Sequence, residues 1–451
     1  MTYVELDQAS DRLAAGLSQA GAQPAEMVGL AVERGPEAIV AILGLAKAGC
    51  AYLPLEPGFP PELAARLLAD CQAVRVVADV SGRERLAGLN LGPGLLPLEE
   101  LPCDAAPPPD PRGGEAPAYV MFTSGTTGHP KGVLVPQRAV ARLAVNSDFL
   151  HLTPADGMAQ AAPLGFDAST LEIWAPLLSG ARVCCLADDD LMDPKVLSAR
   201  LSDLKVNMMW LTASLLNRLV EEDPACLRPL RALLAGGEPL SPPHLRRLRS
   251  ACPELTIING YGPTENTTFT TTHRLEPVDL ASETIPIGRP IGNSRAYVLD
   301  RLGNPAPIGV WGELHAAGDG LALGYAGRSD LTQAAFASPA WRPDERLYRT
   351  GDLARWREDG VLLFGGRRDG QIKVRGHRVE TEAVESALRA LPGVADAVVL
   401  ALGQGAERVL AAVVAAPGDE QATWRAALGQ VLPDFMIPER FLVLPRLPTT
   451  P

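Results

Sequence analysis

The feature that most constrains the fold is an alternation of short apolar runs with helix-like stretches. It begins MVGLAV, EAIVAILGLAKAG, AYLPLEP and, after a further helical stretch, VRVVADV. Short apolar runs of this kind read as buried strands, and their interleaving with helices predicts a layered α/β architecture. Ahead of it, Thr2 and Glu5 fit a capping box, and Ala9, Leu13 and Leu17 recur at helical spacing before Gly21, so the chain opens into a helix. The segment DAAPPPDPRGGEAP (104–117) is too rich in Pro and Gly for a regular element. It is either a domain linker or a surface connection within one domain. Beyond it the alternation resumes with strands AYVMF, VNMMWL, RALLAG and LTIING.

From about residue 285 the texture changes to short strands and turns (IPIGRPIG, AYVLD, GELHAAG), which predicts a small β-rich, barrel-like subdomain over about 285–365. Residues 1–365 thus form a large N-terminal core. Residues 366–451 read as a small α+β domain: QIKVRG, a helix VETEAVESALRALPG, then strands ADAVVLAL and RVLAAVVAA. A chain of 451 residues exceeds one ordinary hydrophobic core, consistent with such a division.

Lys plus Arg number 41 against 53 Asp plus Glu, a net charge of −12, so there is no broad basic field for nucleic acid or an anionic membrane. An anionic ligand needs a local site instead. The seven cysteines (Cys50, Cys71, Cys103, Cys184, Cys185, Cys226, Cys252) include no CxxC pair or metal-ligand spacing. They read as small buried apolar residues of a reducing compartment. No run approaches the length of a membrane span, and the first residues carry acids where a signal peptide carries bases. The expected location is the cytoplasm.

The stretch Tyr119 to Val135, YVMFTSGTTGHPKGVLV, carries the first chemistry. An apolar strand enters a loop of Thr123, Ser124, Gly125, Thr126, Thr127 and Gly128, and Lys131 precedes a second strand. Glycines let backbone N–H groups converge on an oxyanion, hydroxyls add donors, and Lys131 adds charge, so the loop suits phosphates. It lacks the Gly-Lys-Ser/Thr helix start of the P-loop. The alternative is a flexible Gly/Thr hairpin.

TSGTTGHPKG resembles the phosphate loop of the adenylate-forming superfamily, which includes acyl- and aryl-CoA ligases, firefly luciferase and the adenylation domains of nonribosomal peptide synthetases. The resemblance runs through the chain in the family's order: TYVEL, LAKAGCAYLPLEP, the loop, FDAS, NGYGPTE, GELHAAGDGLALGY, YRTGDLARW, GRRDGQIKVRGHRVE and LPDFMIP. The forms LAKAGCAYLPLEP and GHRVE favour the amino-acid branch.

The resemblance implies ATP and Mg²⁺ as cofactors and a reaction in which a substrate carboxylate attacks the α-phosphorus of ATP. No protein nucleophile is needed, and catalysis rests on positioning and charge neutralisation. It implies that Thr264 and Glu265 sit at the α-phosphate and the metal, Glu265 being the metal ligand. Asp352 would accept hydrogen bonds from the ribose hydroxyls, with Arg367 nearby. Asn259, Tyr261, Gly262 and the Gly236–Gly237–Glu238 turn are the implied nucleotide contacts; an ordinary core tyrosine and an ordinary turn are the alternatives. Asp369 resembles the hinge about which the C-terminal domain rotates, and Lys373 the lysine that faces the active site in the second, thioester-forming state.

Asp167, in the otherwise apolar PLGFDASTLEIW, is by the same resemblance the partner of a substrate α-ammonium; a helix N-cap is the plainer reading. The remaining implied pocket is Ala168, Leu171, Ser214, Leu233, Ala235, Gly260, Thr268 and Phe269. That lining is neutral and mostly apolar, so a charged side chain would lack a partner and the expected acid is hydrophobic. The implied partner is a peptidyl carrier protein with its phosphopantetheine thiol; a condensation domain and a small helper protein are further partners that the resemblance allows. Rival readings are a stand-alone acyl- or aryl-CoA ligase and a non-catalytic binding module. Family members continue after LP-x-TP with Asn-Gly-Lys, whose lysine bridges carboxylate and phosphate, whereas this sequence stops at Pro451. The C-terminal lid is therefore expected to be truncated before its final lysine motif, and the chain to bind both substrates yet adenylate slowly.

Overall fold

The computed structural model describes residues 1–89, 94–106, 113–123, 130–368, 372–374, 377–403 and 408–447. The opening helix runs Tyr3–Gln19, and both hydrogen bonds of the expected capping box between Thr2 and Glu5 are present. Leu13 and Leu17 on this helix are fully buried. They belong to a core that also holds Ala41, Ile42 and Leu45 of the helix Pro36–Lys47.

Two seven-stranded sheets organise the larger part of the chain. The first has the order Gly324–Tyr325, Lys131–Pro136, Pro117–Thr123, Ala51–Pro54, Met27–Ala31, Arg75–Ala78, Leu95–Pro97. Its strands from Ala51–Pro54 outward through Leu95–Pro97 pair in parallel, as the interleaved helices require, while the two strands flanking the expected phosphate loop pair antiparallel. The second sheet has the order Arg289–Pro290, Thr271–Arg274, Thr256–Tyr261, Ala232–Gly236, Met208–Thr212, Gly157–Gln160, Arg182–Cys185. Leu233 and Ala235 pack with residues of the helices Ala213–Glu222 and Pro242–Ala251. Leu234 between them packs with residues of Gln137–Ala144 and Ala168–Leu178. Side-chain alternation along the strand thus assigns the two faces to different helices.

The β-rich part is a five-stranded antiparallel sheet centred on the long strand Leu347–Trp356, which pairs with Gly312–Gly318, Phe336–Ala337 and Leu362–Arg367. The stretch IPIGRPIG contributes only the two-residue strand Arg289–Pro290. Its prolines lack the N–H that a longer ladder would use. In the C-terminal part the helix Thr381–Arg389 packs beside Asp396–Leu402, Val409–Ala415 and Arg440–Leu444, which form a three-stranded sheet. The helix starts two residues later than VETEAV suggests, since Glu380 takes the N-cap position in extended backbone. No helix among the described residues is long and apolar enough to cross a membrane.

A helix packed on the second sheet carries a buried acid outside the expected site residues. Glu172, on the helix Ala168–Leu178, is fully buried, and its Oε2 accepts from the backbone N–H groups of Ala161 (3.0 Å) and Ala162 (2.8 Å). Burial pushes its carboxyl up to about 8, against which the two N–H donors and the charge of Arg34 act. Glu172 therefore stays protonated in the folded chain while it ionises in the unfolded one. Wild-type stability should fall as pH rises from the ordinary glutamate range to about 8, then level off, as far as this group contributes. Glu172→Gln, which cannot ionise, should lose that slope. Chemical denaturation across this pH range should show the variant gaining on the wild type as pH rises, and a constant difference would contradict the assignment.

Candidate active site

The strands Ala232–Gly236 and Thr256–Tyr261 run in parallel with Gly236 opposite Gly260, and both end at the site. A Cβ on Gly236 would run into the carbonyl oxygen of Gly260, and Gly237 follows with φ +82, so the expected adenine turn is glycine for steric reasons. Asn259 anchors the second strand through Nδ2, which donates to the carbonyl of Pro286 at 2.8 Å. The hydroxyl of Tyr261 donates to Oδ2 of Asp352, and Nη1 of Arg367 donates to Oδ1 at 2.8 Å. Asp352 is buried, and Arg367 is nearly so. Burial, with the neighbouring Asp352 carboxylate, pushes the Tyr261 phenol well above its ordinary range, so it remains a neutral donor. Tyr261, expected at adenine, and Asp352 and Arg367, expected at the ribose, are therefore one hydrogen-bonded group.

Of the expected phosphate loop, Ser124, Gly125, Thr126, Thr127 and Gly128 lie outside the described residues, as does Asp369. The loop's two ends are described: Thr123 closes one strand and Lys131 opens the next, directly opposite it. Thr264 and Glu265 stand on a single 3₁₀ turn, Thr264–Asn266. The fully buried Glu265 accepts at Oε1 from the hydroxyl of Tyr325 at 2.8 Å. Lys131 Nζ lies 5.7 Å from the centroid of the same tyrosine ring. Tyr325 thus brings the loop's cation and the expected metal ligand to one side chain. Its role is not visible in the sequence although it ends the motif GELHAAGDGLALGY, because the contact joins distant parts of the chain.

Asp167 is buried at the start of the helix Ala168–Leu178, but makes no side-chain cap to that helix. This disfavours the plain N-cap reading. Thr268 Oγ1 donates to the carbonyl of Asp167 at 2.6 Å, joining it to the loop after Glu265. Ala168, Leu171 and Phe269 pack in one apolar cluster, whereas Leu233 and Ala235 belong to the other face of the sheet. Gly262 makes room for that loop, since a Cβ there would run into the carbonyl of Thr268. Ser214 Oγ donates to Glu238 Oε2 at 2.9 Å, tying an expected acid-pocket residue to the expected adenine turn. Ser214 also lines a cavity of about 350 Å³ with Phe166, Trp210, Thr212, Leu215 and Arg218. Phe166 and Trp210 pack there with tilted rings, centroids 5.4 Å apart, an aromatic wall that the sequence does not announce. Lys373 is placed by its backbone alone, in a strand Ile372–Val374 paired antiparallel with His377–Val379.

Residues 1–326 match the family of the AMP-binding enzyme, and residues 383–451 match the AMP-binding enzyme C-terminal domain. The chain is 42% identical over its whole length to tyrocidine synthase 3 of Brevibacillus parabrevis, of which it covers 7%. It is 38% identical over its whole length to gramicidin S synthase 2 of Brevibacillus brevis, of which it covers 10%. The chain therefore spans a small fraction of the curated relatives it matches. Among solved structures, an NRPS protein containing adenylation and PCP domains superposes with a TM-score of 0.91 at 35% identity, over 100% of this chain and 90% of that one. An artificially fused adenylation-PCP di-domain NRPS from Klebsiella oxytoca superposes with a TM-score of 0.88 at 28% identity, over 98% of this chain and 88% of that one.

Gly260 offers a test of the acid half alone. A Cβ there would run into the ring of Phe269, which itself sits edge-on to Phe149 with centroids 5.8 Å apart. Overpacking of this kind costs about 1–3 kcal/mol. For the substrates expected from the sequence, an amino acid and ATP, Gly260→Ala should raise the KM for the amino acid about tenfold and leave the KM for ATP nearly unchanged. Equal changes in both constants would argue that Gly260 serves only the fold.

Proposed function

The chain belongs to the family of AMP-binding enzymes, and from that premise we propose that it activates a hydrophobic amino acid as its adenylate for transfer to the phosphopantetheine thiol of a carrier protein. The observation that carries this reading is the buried carboxylate of Asp167, tied through its own carbonyl to Thr268 and followed on its helix by the apolar Ala168 and Leu171. An α-ammonium suits such an acid, and a neutral side chain suits its surroundings.

In the first step the amino-acid carboxylate oxygen attacks the α-phosphorus, the bond to the pyrophosphate oxygen breaks, and pyrophosphate leaves. In the second, the carrier thiolate attacks the acyl carbonyl and AMP leaves. The protein supplies position and charge. Asp352, oriented by Tyr261 and Arg367, holds the ribose, and Asp167 holds the α-ammonium. Lys131 stands at the end of the phosphate loop to offset negative charge. A divalent magnesium ion would neutralise phosphate charge; Glu265 fits it, being a carboxylate with one oxygen oriented by Tyr325. The remaining residues of the expected pocket set its shape. The proposed domain division is a core over 1–365 and a lid over 366–451 that turns about Asp369 between the two steps.

Amino-acid-dependent ATP–pyrophosphate exchange tests the reading, on the chain alone and on the chain continued through Asn-Gly-Lys. Asp167→Ala should weaken use of amino acids by about 2–5 kcal/mol, the typical cost of stranding one member of a buried charge pair, with ATP binding little changed. Full exchange by this variant would remove the main support for an amino-acid substrate. For the second step, Lys373→Ala should spare adenylate formation and slow thioester formation on a carrier protein. Equal loss in both half-reactions would mean that the C-terminal part does not alternate.

A further inference from the structure

We propose that Arg142 is a positioning residue, whose guanidinium holds the segment 264–270 in the one backbone path that presents Thr264 and Glu265 to the phosphates and Thr268 and Phe269 to the acid. The inference rests on the reading of those four residues given above. Arg142 lies on the helix Gln137–Ala144 and is buried. Its Nη1 donates to the carbonyl of Phe269 at 2.6 Å, and its Nη2 donates to the carbonyls of Asn266 at 2.5 Å and Thr267 at 3.2 Å. One side chain therefore satisfies three carbonyls within four residues.

The segment needs such a hold. Thr267 and Thr268 have φ values of 50° and 64°, two successive β-branched residues in the left-handed region, where such side chains are strained. Around the guanidinium the fit is close: a Cβ on Gly320 would run into Nη2, and the carbonyl of Gly320 accepts from Thr267 Oγ1 at 2.8 Å. Thr268 Oγ1 in turn holds the carbonyl of Asp167. A change in the segment's path would thus be felt at the phosphate turn, the acid pocket and the backbone of Asp167 together. Lysine cannot replace arginine here, because a single ammonium lacks the planar fork that spans these carbonyls.

The test uses the full chain with Arg142→Ala and Arg142→Lys. Hydrogen exchange of the ligand-free protein reads the hold without any substrate. Amides of 264–270 should exchange roughly tenfold faster or more in both variants, with the strands Met27–Ala31 and Ala232–Gly236 unchanged. In pyrophosphate exchange, both variants should raise the KM for the amino acid and narrow the preference between the best and second-best acids by about tenfold. Guanidinium at sub-denaturing concentration should restore part of the preference to the alanine variant, and methylammonium should not. Unchanged protection of 264–270 would overturn the inference whatever the activity. So would a uniform loss of rate for every acid at constant KM, or global unfolding of both variants, since either describes a residue that serves the fold alone. Inactivity toward every amino acid of the wild-type chain continued through Asn-Gly-Lys would instead overturn the reading of the site, while the exchange result would still decide the role of Arg142.

Discussion

The first two sheets are joined through polar groups buried at their junction, and the site depends on that joint. The hydroxyl of Thr170, under the second sheet, donates to that of Tyr119 in the first at 3.0 Å. Arg142 reaches from the helix after the first sheet's strand Lys131–Pro136 to three carbonyls beyond the second. Tyr325 of the first sheet donates to Glu265 on the turn that follows the second sheet's strand Thr256–Tyr261, and Glu56 accepts from the N–H of Gly165. Each of these groups would cost several kcal/mol if buried without a partner. Apolar contact alone would tolerate a sliding of one sheet over the other. The directional bonds do not, so the joint fixes where the first sheet's loop stands relative to the second sheet's strand ends.

That constraint explains why the expected site residues gather where the strands of the second sheet end. The parallel strands of the second sheet deliver Thr212, Gly236 and Tyr261 to one edge, and the segments that follow them carry Ser214, Glu238, Thr264 and Glu265. Ligands of open α/β sheets gather at such strand ends. The third sheet adds Asp352 and Arg367, and Tyr261 couples to them through its hydroxyl. The residues expected at the nucleotide are thereby drawn from the second and third sheets, and those expected at the phosphates from the first and second.

The elements are largely legible in the sequence because their signals are local. The capping box at Thr2 and the apolar strands of the first two sheets depend on residues a few positions apart, and they appear where periodicity places them. IPIGRPIG yields less strand than its apolar residues suggest, because its prolines cannot extend a ladder. The site is legible only as a set of motifs. Nothing near Asp352 in sequence announces Tyr261, which lies 91 positions away, and nothing near Glu265 announces Tyr325, 60 positions away. That Leu233 and Ala235 lie on the opposite face of the second sheet from Ala168, Leu171 and Phe269 likewise follows from strand alternation, once the register is known.

Arg142 carries a signal of a different kind, one that the sequence holds but that motifs do not pick out. It stands in AVARLAV, an arginine flanked by residues that a helix of this length would bury, on a helix, Gln137–Ala144, that itself holds no acid to pair it. A buried guanidinium without a carboxylate must find carbonyl oxygens, and free carbonyls in a folded core occur where the chain leaves regular structure. Burial holds this arginine down to about 10, against which Tyr119, Asp319 and Asp148 act. A basic residue on the apolar face of a short helix therefore points to an irregular segment packed against that helix. Here the segment is the one that carries both Thr264 and Glu265, expected at the phosphates, and Thr268 and Phe269, expected at the acid.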